Sequence, residues 1–148
     1  MRGTVSFSDV MDLGYNALYK ADGMETISIL LVDDSESVIE NLKAVLEMDR
    51  DIRIVGKAKN GIEALEKAKA VLPSVVIMDV RMPEMDGIEA TRYLKERYPE
   101  MGIILFSVDD NTHFRLEGLR SGASDYYVKG RPTNELLAMI KRVYSKVM

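Results

Sequence analysis

The chain has 148 residues, 47% of them hydrophobic, and 24 acidic against 20 basic side chains leave a net charge of −4. That length carries one domain with its own core, and the acidic balance argues against a dedicated nucleic-acid face, which needs basic side chains. The absence of cysteine excludes disulfides and thiolate metal sites, and His113, the one histidine, cannot build a histidine-ligated zinc site alone.

Residues 1 to 25 precede any regular alternation. Val10, Leu13, Ala17 and Leu18 would share a face of one short helix, ended by Asp22-Gly23. Isolated short helices are marginal in water, so a loosely ordered extension is expected, or residues upstream of a start at Met24. Asp9 and Asp12 interrupt anything like a signal-peptide core. No stretch approaches the roughly 20 apolar residues of a membrane span. The expectation is a cytoplasmic protein without membrane contact.

Strand and helix patterns then alternate through a single domain, residues 26 to 148. The apolar run 27–32 ends on Asp33-Asp34. Ser35 is placed to cap a helix carrying Val38, Leu42, Val45 and Leu46. A second strand follows at 52–55. Asn60-Gly61 opens a helix carrying Ile62, Leu65, Ala68 and Leu72, and Pro73 stops it. Val75-Val76-Ile77-Met78 ends on Asp79, and Arg81 to Gly87 reads as a loop with proline and glycine punctuation. Ile88, Thr91 and Leu94 mark a third helix, ending near Tyr98-Pro99. Ile103-Ile104-Leu105-Phe106 ends on Ser107. Asp109-Asp110-Asn111 starts a helix through Leu119, closed by Gly122. Tyr126-Tyr127-Val128 ends on Lys129, and Pro132 or Thr133 opens a last helix with Leu136, Leu137, Ile140 and Val143 on one face.

Runs this short and this apolar read as strands buried on both faces. Five βα units with right-handed crossovers predict a three-layer α/β/α domain, a flavodoxin-like parallel sheet of order 2-1-3-4-5. Parallel strands put their C-terminal ends on one edge, where ligands bind. Asp33, Asp34, Asp79, Ser107 and Lys129 would therefore converge there. Clustered carboxylates repel unless a cation neutralises them, and Mg²⁺, a hard ion that takes carboxylate and phosphate oxygens, suits them. A carboxylate beside such a cation can attack phosphorus, with an ammonium and a hydroxyl to receive phosphoryl oxygens. Singly, an Asp pair is more often a helix-start signal, Ser107 a turn hydroxyl and Lys129 a solvated lysine. Those bland readings explain the set poorly.

The segments Leu31-Val32-Asp33-Asp34-Ser35, Met78 to Gly87 and Gly122 to Lys129 resemble a two-component response-regulator receiver domain, CheY-like in fold. The resemblance covers about 27 to 147. It implies that Asp79 accepts a phosphoryl group from a histidine kinase. It also implies that Asp34, Asp79 and the backbone carbonyl of Arg81 bind Mg²⁺, with Asp33 helping through water. Ser107 and Lys129 match the phosphoryl-sensing hydroxyl and lysine. Tyr126 matches the aromatic that turns inward on activation, although a half-buried edge-strand tyrosine explains it equally well. Three departures stand out: Val108 follows the hydroxyl where a small residue is common, Gly130 rather than proline follows Lys129, and Arg81 can reach over the phosphoryl group.

The helices resemble receivers of the NarL type, which usually carry a DNA-binding output domain. Met148 directly follows the last helix, so a stand-alone receiver is expected, with no direct nucleic-acid contact and no enzymatic activity beyond its own phosphorylation and dephosphorylation. A sensor kinase or phosphotransfer protein would act upstream. A downstream protein would meet the face of the fourth helix, fifth strand and fifth helix, and a phosphorylation-dependent homodimer is a further expected contact. The rival readings are a docking module that no longer takes phosphate, and the receiver part of a NarL-type transcription regulator. A haloacid-dehalogenase-like phosphatase would need an aspartate where Arg81 stands. A flavodoxin would need an uncharged phosphate loop where Asp33-Asp34-Ser35-Glu36 lies.

Overall fold

The computed structural model describes residues 26–147; residues 1 to 25, where a short helix with Val10, Leu13, Ala17 and Leu18 on one face is the expectation, lie outside the described residues. Five strands alternate with five helices: β1 (Ile27–Val32), α1 (Glu36–Leu46), β2 (Ile52–Ala58), α2 (Gly61–Val71), β3 (Val75–Asp79), α3 (Gly87–Arg97), β4 (Gly102–Ser107), α4 (Thr112–Arg120), β5 (Asp125–Val128) and α5 (Thr133–Val147). All pairings are parallel, in the order β2-β1-β3-β4-β5. This is the flavodoxin-like order expected from the sequence. The order reverses at β1, so the crevice between the ends of β1 and β3 is the topological switch point.

β3 and β4 are buried along their whole length, and β1 at every position but Ser28. Alternate residues face opposite layers. Leu30, Val32, Val76, Met78, Ile103 and Leu105 pack with Ala64, Ala68, Ala90 and Leu94 of α2 and α3. Ile29, Leu31, Ile77, Ile104 and Phe106 pack with Ile39 and Leu46 of α1 and Leu136, Ile140 and Val143 of α5. Each large aliphatic side chain so buried stabilises the fold by about 1.5–3 kcal/mol before ordering entropy is counted.

Local signals fix the helix starts. Ser35, Asn60, Asp86 and Asn111 each cap a helix by accepting a backbone N–H of its first turn. Glu63 also reaches back to the Lys59 N–H (3.1 Å). The α2 face follows expectation in part. Ala68 is buried and Leu65 packs against the core, joined by Gly61 and Ala64, whereas Ile62 is exposed and Leu72 lies past the helix end in the left-handed conformation, φ 44°. Pro73 disfavours the helical conformation at the residue before it, which ends the helix there.

Candidate functional site

The C-terminal ends of β1 and β3 deliver three carboxylates to one place. Asp33 follows β1, and its N–H is held by the Ala58 carbonyl of β2 at 3.0 Å. Its Oδ1 accepts the Ser35 N–H at 2.9 Å, so the turn into α1 fixes the side chain. Asp79 is the last residue of β3 and pairs in register with Phe106 of β4. Asp33 and Asp79 are 2% and 6% exposed, while Asp34 faces solvent. One oxygen from each carboxylate lies within 4.8 Å of the others.

Lys129, just beyond β5, closes the set. Its Nζ donates to Asp33 Oδ2 at 2.9 Å and stands 3.5 Å from Asp79 Oδ1. The Lys129 N–H bonds the Ser107 carbonyl (2.7 Å), which places the lysine at the site, and its ammonium lies 5.0 Å from the Phe106 ring centroid. One ammonium cannot neutralise three carboxylates. Burial, then the Asp33 charge, push the Asp79 carboxyl up to about 6, with Lys129 opposing them and Asp34 adding a little. Hard oxygen donors, two buried and one open to solvent, with an excess of negative charge, fit a divalent cation of the Mg²⁺ class. A groove of about 500 Å³ leads away from Asp33 and Asp34 past Lys57, Lys59 and Glu63.

A glycine lets the loop after β3 close under Asp79. A Cβ on Gly87 would stand 2.0 Å from the Asp79 carbonyl oxygen, and the Gly87 N–H bonds the Val80 carbonyl at 2.9 Å. Asn60 Nδ2 donates to Glu84 Oε1 (3.0 Å), and the Gly61 N–H donates to the Met85 carbonyl (3.0 Å), so α2 holds the same loop from its far side.

Ser107 ends β4 one position beyond the partner of Asp79. It is 2% exposed, and its Oγ accepts the Asp109 N–H at 3.1 Å. Val108 is 70% exposed. Tyr126 is more enclosed than a half-buried edge residue: it is 3% exposed, packs in the α2–α3 layer, and its hydroxyl donates to the Asp109 carbonyl at 2.9 Å. The Arg81 side chain reaches the loop after β4 and the first turn of α4. Its Nη2 pairs with Asp109 Oδ2 at 2.8 Å, and its guanidinium lies 5.0 Å from the Phe114 ring centroid.

Asp33, Asp34, Asp79 and Lys129 therefore meet at the strand ends, and Ser107 joins them through its backbone carbonyl on the Lys129 N–H. Asp109 and Phe114, which link Arg81 and Tyr126 to the end of β4, are the additions. Asp109 sits in a polar run whose plain reading is a helix start, and its charge opposite to Arg81 is the single sequence cue to the contact.

Comparison with known proteins agrees with this geometry. The response regulator receiver domain family matches residues 29–141. The chain is 32% identical over 117 residues to the transcriptional regulatory protein DegU of Brevibacillus brevis, covering 79% of this chain and 50% of that protein. It is 35% identical over 119 residues to the response regulator GacA of Pseudomonas protegens, covering 80% and 56%. The chain thus spans about half the length of these curated relatives. The response regulator domain of Thermotoga maritima CheB superposes with a TM-score of 0.76 at 32% identity, covering 82% of this chain and 98% of that one. A match across most of the fold, with relatives above 30% identity, makes this chain a member of the response-regulator receiver family, whose proteins work in phosphorelay signalling.

Proposed function

We propose that Asp79 takes a phosphoryl group from a sensor histidine kinase or phosphotransfer protein, and that the new charge changes which proteins the domain contacts. The observation that carries this reading is the meeting of Asp33, Asp34 and Asp79 within 4.8 Å, with the Lys129 ammonium beside them. An Asp79 carboxylate oxygen attacks phosphorus. The bond from phosphorus to the donor atom breaks, that atom leaves with the electron pair, and an acyl phosphate forms. Receiver domains bind Mg²⁺ through acidic residues, and the donors here are of that kind. Asp33, Asp34 and Asp79, with the Arg81 carbonyl, would hold the ion; bound there, it supplies charge neutralisation for the phosphoryl oxygens.

Lys129 is held by Asp33, so its ammonium stands ready for a phosphoryl oxygen without reorganisation. The Ser107 hydroxyl donates to a second phosphoryl oxygen, and the loop after β4, bonded to it through the Asp109 N–H, follows it. Tyr126 bonds that loop through Asp109, so its ring and α4 respond. This is a population shift between two loop positions, biased by the phosphoryl contacts. α4, β5 and α5 are then the output face toward a downstream protein or a second copy. Leu116 and Leu119 of α4, 45% and 43% exposed, offer it apolar area.

The test is titration with BeF₃⁻, a phosphoryl mimic, in the presence of Mg²⁺. The wild type should bind it with amide NMR shifts from 107 to 119 and at Lys129, and Asp79→Asn should not respond. Equal responses from the two proteins would contradict the assignment.

A further inference from the structure

Asp109 makes three contacts at once. Its N–H donates to Ser107 Oγ (3.1 Å), its carbonyl accepts the Tyr126 hydroxyl (2.9 Å), and its carboxylate pairs with Arg81 (2.8 Å). The Arg81 guanidinium also rests 5.0 Å from the centroid of Phe114 in the first turn of α4. Arg81 lies two residues from Asp79, so their Cα atoms are at most about 7 Å apart. One cation thus joins the loop after β3 to the loop after β4 and to the start of α4.

We propose that the Arg81–Asp109 pair is a releasable latch that restrains the β4–α4 loop while Asp79 is bare and lets go when Asp79 carries a phosphoryl group. The inference rests on the reading of Asp79 as the phosphoacceptor. Ser107 Oγ accepts the Asp109 N–H and keeps its own O–H free to donate, so a turn of Ser107 toward a phosphoryl oxygen draws Asp109 with it. The ion pair opposes that movement through the Asp109 side chain. Both partners are partly exposed, 64% for Arg81 and 36% for Asp109, so the pair is weak and exchangeable. A phosphoryl group offers three charged acceptor oxygens to the planar guanidinium, a stronger match than one solvated carboxylate. Arg81 and Asp109 are positioning residues here, acting through the loop.

The test follows initial rates of labelling of the full chain by acetyl phosphate with Mg²⁺, read by intact mass. Asp109→Asn, which keeps shape and removes charge, should label about two- to fivefold faster, the range of one exposed ion pair. Asp109→Glu, which keeps the pair, should stay near wild type. In an Arg81→Gln background, Asp109→Asn should change nothing. A merely structural role for Asp109 would not depend on Arg81. Unchanged labelling in Asp109→Asn, or an equal effect with and without Arg81, overturns the latch while leaving Asp79 as phosphoacceptor. A wild type that takes no label overturns both.

Discussion

Asp79 combines two demands that conflict. As the end of a fully buried strand it is cut off from water, and as the proposed nucleophile it must be charged. Its carboxyl is pushed up to about 6, first by burial and then by Asp33. The consequence for stability has a definite sign. Between its unfolded value of 3.8 and about 6, the folded protein keeps this proton while the unfolded chain gives it up. The stabilisation from that proton is full below about pH 4 and is lost as pH rises through 6. Metal-free Asp79→Asn, which has no proton to lose, should therefore be more stable than wild type above pH 6, by about 1–3 kcal/mol, with the difference closing toward pH 4. Urea melts in chelator at pH 4 and pH 7.5 check this; a difference independent of pH would contradict it. Asp34 adds to the same crowding from the solvent side. Asp34→Ala should gain a little metal-free stability and lose the rise in melting temperature expected of the wild type in saturating Mg²⁺, a rise worth about 2.7 kcal/mol at a hundred times Kd. Thermal melts with and without Mg²⁺ decide it, and equal Mg²⁺ responses would count against Asp34 as a ligand. The strand-end residues could be read ahead because each follows an apolar run. The contacts of Arg81 and Asp109 could not, because loop side chains choose partners by distance across the fold, which sequence spacing does not encode.

At the scale of elements, the site depends on how closely the loops pack under the strand ends. Gly87 starts α3 against the Asp79 carbonyl, with room for no Cβ at all. Gly87→Ala should cost about 1–3 kcal/mol by overpacking and should also weaken Mg²⁺ binding, since the loop that it displaces carries Arg81. Chemical denaturation paired with Mg²⁺ titration checks both; normal Mg²⁺ affinity would place the loop geometry outside the site. The strands were legible because continuous apolar runs of four to six residues have one economical home, between two helical layers. Helix faces were less so. In α2 the expected stripe of Ile62, Leu65, Ala68 and Leu72 holds at Leu65 and Ala68, but Ala64 takes the core position in place of the exposed Ile62 and Leu72. Close packing on strands selects small side chains there, and a hydrophobicity pattern weights them too lightly. In α1, Leu46 is buried and Val38 and Leu42 pack against the core as expected, but Ile39 is buried and Val45 is exposed.

For the whole molecule, a sheet whose order reverses at β1 puts the ends of β1 and β3 side by side, and every proposed chemical step uses that edge. The same edge begins the path outward through Ser107, Asp109 and Tyr126 to α4. In the proposed switch a local charge would reach a surface helix through these bonded residues and the Arg115 guanidinium of α4 over the Tyr126 ring. The central claim is that the phosphoryl group sits on Asp79. Labelling with acetyl phosphate and Mg²⁺, reduction of the acyl phosphate with borohydride and mass mapping of the peptides tests it directly. The account predicts that the reduced residue is Asp79, with no label in Asp79→Asn or without Mg²⁺. Modification mapped to Asp33 or Asp34, or undiminished in Asp79→Asn, would contradict it.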